Sequence, residues 1–170
     1  MAICQALEAY GVYRRDGTGE LNKNRIRRAE AWLTDRSQRL FLSLVHGWLA
    51  DICATAGDRD ETIHWAGLAR SDAARGDLLG AAMAYRAEAR CAWGAGNLEM
   101  AERMLDRADS NAQQRGSIHE LAQTNLLRGE VLLERRPTQA AAYLTQASQG
   151  FETLRMTAPE ARARQMLQSA

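Results

Sequence analysis

An all-α chain, built as a stack of about four antiparallel helix pairs with a C-terminal capping helix, is the fold that the sequence predicts. Three observations carry the prediction. Breaks recur at a fixed interval: Gly17, Gly57 and Gly96 lie about 40 residues apart, and the Arg-Gly steps at Gly76 and Gly116 form a second series between them, so each period holds two helices. A small residue, an apolar residue four later and an alanine three further on recur as Asn22, Ile26, Ala29; Thr62, Ala66, Ala69; Ala101, Leu105, Ala108; and Ala140, Leu144, Ala147. The closing alanines at 29, 69, 108 and 147 stand 40, 39 and 39 residues apart. Finally, the only prolines are Pro137 and Pro159, β-branched residues are sparse, and alanine and leucine abound, so helix propensity is high almost everywhere.

Taken in order, the elements are helices over about 2 to 14, 20 to 35, 38 to 56, 59 to 75, 77 to 94, 98 to 115, 118 to 135, 138 to 154 and 158 to 168. Capping boxes mark three of the starts, since Asp58 precedes Glu61, Ser117 precedes Glu120 and Thr157 precedes Glu160 at the spacing that satisfies free amides. Pro137 and Pro159 fall where helices begin. The repeats are then 1–36, 37–76, 77–116 and 117–156, with a capping helix at 157–170 and a single domain over 1–170. In the first helix of each pair a small residue recurs at Gly11, Ala50, Ala89 and Gly129, which lets the two helices of a pair approach closely.

Composition bounds the function. The chain has 170 residues, 46% hydrophobic and 25% charged, an ordinary globular balance. Its 22 basic and 21 acidic side chains leave a formal charge of +1, so no global field draws it to nucleic acid or to an anionic membrane. Lys23 is the only lysine, and arginine favours planar, bidentate pairing with carboxylates. Cys4, Cys53 and Cys91 are widely spaced with no CxxC pair, and read as buried thiols of a reducing compartment. The start lacks the pattern of a secretory signal, and the most apolar stretch, 40 to 56, is interrupted by His46 and Asp51, so a cytoplasmic protein is expected.

On its small-residue and alanine register the chain resembles the tetratricopeptide family, over nearly all of its length. It departs in period, about 39 to 40 rather than the family's 34, and in carrying Asn22 where the first pair would have alanine. Longer repeats are similar to those of bacterial LuxR-type ATP-binding regulators and multidomain nucleotide cyclases. The stretch Leu127-Arg128-Gly129-Glu130-Val131-Leu132-Leu133, and Phe151-Glu152-Thr153-Leu154 followed by Pro159 and an Ala-Arg-Ala-Arg helix, is similar to the closing repeats of such proteins. The resemblance implies a right-handed superhelix whose first helices line a concave groove.

In that register Trp48, Asp51, Met83, Arg86, Arg90, Trp93, Gln123, Leu126, Glu130 and Glu134 point toward the groove or its rim. Asp51, Arg90 and Glu130 are equivalent and alternate in sign, so pairing with one another competes with a role in binding. Trp32, Trp48, Trp65 and Trp93 compete likewise between core and contact surface. The basic stretch Lys23 to Arg28 has Glu20, Glu30 and Asp35 at helical spacings and no interleaved aromatics, which favours a self-paired face over a nucleic-acid contact.

Catalytic patterns are missing from the sequence. His46, His64 and His119 fall in different repeats without metal-ligand spacing, Gly94 to Gly96 lacks the Lys-Ser of a phosphate loop, and no GxSxG occurs. Neither a cofactor nor a metal is expected. The expected function is a non-enzymatic protein-interaction module that binds a peptide or partner helix, as a sensing or scaffolding segment in the signal transduction of a bacterial regulator. The alternative is a stand-alone chaperone or adaptor for a secreted or regulatory client. Apolar Ile3, Leu7 and Tyr10, with no repeat before them, add the expectation of a homo-oligomer through end faces. Direct nucleic-acid or membrane partners are not expected.

Overall fold

A computed structural model describes residues 2–17 and 19–169 of the chain; Met1 and Ala170, the outer limits of the expected domain, lie outside the described residues. Among the described residues there are nine α-helices and no strand: α1 (Ala2–Asp16), α2 (Gly19–Asp35), α3 (Leu42–Ala56), α4 (Arg59–Ala74), α5 (Ala81–Gly94), α6 (Leu98–Gln114), α7 (Ile118–Leu132), α8 (Pro137–Thr153) and α9 (Thr157–Leu167). The chain divides into two compact units, Met1–Cys91 and Ala92–Ala170.

In the first unit α1 packs on α2, α2 on α3 and α3 on α4. Its main core gathers Ile26 and Leu33 of α2 with Val45, Leu49 and Ile52 of α3. A second cluster, whose buried members are all alanines, joins Ala50 of α3, Ala66 and Ala69 of α4 and Ala84 and Ala87 of α5, with Trp65 packed against it. In the second unit α6 packs on α7, α7 on α8 and α8 on α9. Leu126, Leu144, Phe151 and Ala163 are buried together there.

The repeating register is what brings these helices together. All twelve residues of the four triplets are buried, none more than 4% exposed. Where the facing positions are small, backbones approach until a larger residue of the neighbour fills the gap. At Gly129 a Cβ would lie 2.5 Å from the Leu144 side chain, so α7 and α8 close through the absence of one methyl group. Burial of Leu105 and of Leu144 contributes about 2 kcal/mol each.

The breaks are where the periodicity puts them. Gly17, Gly57, Gly76, Gly96 and Gly116 all have positive φ, the conformation that ends a helix without a Cβ clash. Gly57 follows α3 at φ 79°, its N–H donating to the Ala54 carbonyl at 3.3 Å, while the Asp58 N–H donates to the Cys53 carbonyl at 2.9 Å. Asp58 and Ser117 cap α4 and α7, accepting from the Glu61 and Glu120 amides at 3.1 and 3.3 Å. Asn97 caps α6 in the same way, accepting from the Met100 amide at 3.0 Å, and was hidden because Met100 stands where a capping box has Glu or Gln.

Several boundaries differ from the pattern. α3 starts at Leu42 rather than 38, because the Gln38 N–H closes the end of α2 on the Leu33 carbonyl at 2.8 Å and Phe41 takes a left-handed conformation, φ 70°, before helix resumes. α5 starts at Ala81 rather than 77. Asp77 accepts there from the Ser43 amide at 3.0 Å, and the Gly80 amide donates to the Ser43 hydroxyl at 2.9 Å, so residues 77–80 dock on α3 instead of coiling. α7 ends at Leu132 rather than 135, since Arg136 precedes Pro137 and is held out of the helical region. Thr157 does not cap α9; Met156 takes that position without a side-chain hydrogen bond, and Thr157 is the first helical residue.

Three expectations about α1 are corrected. Gly11 is exposed with open space beside it, and Ala9, two positions earlier, is the buried small residue, so α1 departs from the register of the later pairs. Cys4 is exposed rather than buried because it lies on the outward side of α1. Of Ile3, Leu7 and Tyr10, only Leu7 is exposed, at 58%, whereas the other two pack against the core.

These contacts order the effects of glycine replacements. A Cβ at Gly80 collides with the Ser43 carbonyl of α3, backbone that cannot yield, so Gly80→Ala lowers unfolding free energy by about 3 kcal/mol in urea titration. Gly67 lies mid-helix in α4 with open space around it, and Gly67→Ala raises stability by about 0.7 kcal/mol in the same measurement.

Candidate functional site

In the first unit the polar centre is Asp51, on the last turns of α3 and only 3% exposed. Its carboxylate accepts from the Tyr10 hydroxyl at 2.8 Å, from Arg14 at 3.3 Å and from Arg90 at 2.7 Å, so one buried charge ties α1 and α5 to α3. Burial raises the Asp51 pKa, but the Arg90 and Arg14 charges and the Tyr10 hydroxyl outweigh it and hold the carboxyl below its ordinary value. Burial and the Asp51 charge push the Tyr10 phenol well up, which keeps it a neutral donor. Trp48 is buried at 3% exposure and stacks on Tyr10 with ring centres 5.3 Å apart. Met83 packs into the same core and Arg86 is buried beside Asp51.

Two further networks knit the second helices to the first. His46 is buried with Nδ1 2.8 Å from Asp72 of α4 and Nε2 3.4 Å from Glu30 of α2, its ring stacked on Trp65. Glu61 accepts from Lys23 at 3.2 Å, from Arg27 and from the Cys53 thiol at 3.2 Å. Burial, then the Glu61 carboxylate, push the Cys53 thiol up to about 12, so it is a packing group and not a nucleophile. The basic stretch on α2 is therefore self-paired in part through α4, and through Glu8 of α1, which holds Arg25 at 2.8 Å. Among the described residues no three His, Cys, Asp or Glu side chains converge to hold a metal ion.

In the second unit a cleft of about 520 Å³ opens between the last turn of α5, the end of α7 and the second half of α9. Trp93, Leu98, Val131, Leu133 and Met166 supply its apolar walls. Glu130 and Arg162 pair across it at 3.0 Å, and Glu134, Arg135 and Gln165 stand around them. Trp93 remains 41% exposed. Elsewhere in this unit Arg128 is buried, bonded to Asp106 and Asp109 at 2.8 Å each and lying over the Tyr143 ring.

The residues picked from the sequence thus separate. Trp48, Asp51, Met83, Arg86 and Leu126 are buried, and Arg90 is half-buried on Asp51. Gln123 is half-buried on α7. Trp93, Glu130 and Glu134 come together on the cleft. Sequence reasoning missed Tyr10 and Arg14 as partners of Asp51, although they stand 41 and 37 positions from it, close to one repeat, as Arg90 does at 39. It also missed Leu98 at the start of α6, and Arg162 and Met166, for which no periodic signal exists because α9 has no second helix to complete a repeat among the described residues.

Asp51→Asn removes the one charge that compensates two guanidinium groups, and lowers stability by about 3 kcal/mol in denaturant titration at neutral pH. Because the folded-state pKa of Asp51 is depressed, its contribution is fully present above the unfolded-state value and fades as pH falls through the folded-state value; wild-type stability therefore drops on acidification more steeply than that of Asp51→Asn. Alkylation of the native protein followed by peptide mapping labels exposed Cys4 and spares Cys53 until denaturant is added.

Comparison with protein-family models, with curated proteins and with solved structures finds no match for this chain. The fold itself is an all-α arrangement in which consecutive helices pack in neighbouring pairs, with no helix among the described residues long and apolar enough to cross a membrane.

Proposed function

We propose that the chain is a non-enzymatic protein-interaction module of the tetratricopeptide-like kind, and that its partner, a peptide or a helix, engages the cleft of the second unit. The observation that carries this reading is the convergence of Trp93, Glu130 and Glu134, three residues selected by repeat register alone, on one open cleft with an exposed indole. An exposed tryptophan beside apolar walls and charged side chains, one pair of them joined, has the make-up of an interface anchor site. The polar groups elsewhere support the same reading, since Asp51, His46, Glu61 and Arg128 are each engaged with neighbouring helices in roles that hold the fold together. A sensing or scaffolding role in a bacterial regulator follows from the repeat resemblance, and a client-binding adaptor is the second form of the same activity.

A displayed library of random peptides, panned against the native chain, tests this. The selected peptides bind wild type and lose roughly thirtyfold or more in affinity for Trp93→Ala, as expected for an anchor residue. Thermal melting of the variant close to wild type shows that the fold is retained. Peptides that bind both proteins equally, or purified protein that turns over a substrate at the cleft, remove the reading.

A further inference from the structure

Resting on the partner-binding reading of the α5–α7–α9 cleft, we infer that the group it accepts is a single large uncharged apolar side chain, of the leucine, methionine or phenylalanine class, projected from an extended segment of the partner.

Charge is the first argument. The lining holds two acids, Glu130 and Glu134, and two bases, Arg135 and Arg162, so the cleft has no net charge. Glu130 and Arg162 already neutralise each other at 3.0 Å. A charged ligand group entering here would give up hydration without a field to repay it, and would have to compete with an existing pair. An uncharged group meets neither penalty.

Size and wall chemistry supply the rest. A space of about 520 Å³ accommodates one large side chain together with part of the extended backbone that carries it. It does not hold the body of an α-helix, which is roughly 10–12 Å across and several turns long. Of its apolar lining Val131 is buried, Leu98, Leu133 and Met166 are half-buried, and Trp93 is exposed. Methionine adapts its shape to an inserted group, and the indole offers a flat apolar face that is 41% exposed without a ligand. Covering that face removes water from both surfaces, whereas the Glu130–Arg162 pair at the rim shields the contact once formed.

The test uses the full chain and four blocked amino acids: N-acetyl amides of leucine, phenylalanine, lysine and glutamate. Binding is followed by NMR through the indole N–H resonance of Trp93, assigned by its loss in Trp93→Phe. The leucine and phenylalanine amides shift that resonance saturably and bind roughly tenfold more tightly than the lysine and glutamate amides. Equal or tighter binding of a charged amide, or no shift with any of the four, overturns the inference. The two readings fail separately. Library peptides that depend on Trp93 but carry a charged anchor leave the partner-binding role standing and remove the apolar specificity. Apolar amides that bind beside Trp93, with library peptides indifferent to its loss, do the reverse.

Discussion

Close approach of helix backbones is the constraint on which this structure depends. Each second helix offers a short run of small and medium residues, Thr62, Ala66 and Ala69 in α4 for example, and the neighbouring helix must come within reach of them to exclude water. Alanine buries little area, so a contact of this type is stabilising only if the backbones come near enough for their own atoms to touch. That need explains why the intervening contacts are so unforgiving, from Ser43 against Gly80 to Leu144 against Gly129. It also explains the constancy of the repeat length, because a change in spacing would rotate a larger side chain into the seam.

Once backbones are close, the remaining side chains settle as polar ties between helices. Asp51, Glu61, His46 and Arg128 each bridge at least two elements, and each does so from a buried or half-buried position where an unmatched charge would be costly. Using arginine for nearly all positive charge suits this, since one guanidinium can serve two acceptors, as Arg128 serves Asp106 and Asp109. The same economy makes the network unsuited to chemistry: a carboxylate that accepts three hydrogen bonds, or a thiol raised to about 12, has little left to offer a substrate.

Much of the fold was legible in the residues. The triplets from Asn22 to Ala147 are all buried, and the five glycines that punctuate the chain all adopt the left-handed conformation that ends a helix. Helix starts were less so wherever tertiary contacts overruled local propensity. Residues 77–80 contain Leu78 and Leu79, good helix formers, between Asp77 and Gly80, which are poor ones; the docking of Asp77 and Gly80 on Ser43 holds the segment open, and nothing local to it announces that partner. For the candidate site the register brought Trp93, Glu130 and Glu134 to one place, yet it could not separate rim from core: Trp48, picked for the same groove, lies buried against Tyr10. The difference arises from α1, which sits over the Trp48 position and depends on an aromatic pair that no repeat average contains.

Lys23 illustrates a practical outcome of the arginine-rich surface. It is the sole side-chain amine in the chain, its side chain is 11% accessible, and its ammonium lies between Glu20 and Glu61. Reagents aimed at lysine side chains, and cellular conjugation systems that attach tags to lysine, therefore meet one poorly reachable target. Carboxylates and the exposed thiol of Cys4 are the more accessible handles for immobilising or imaging the protein.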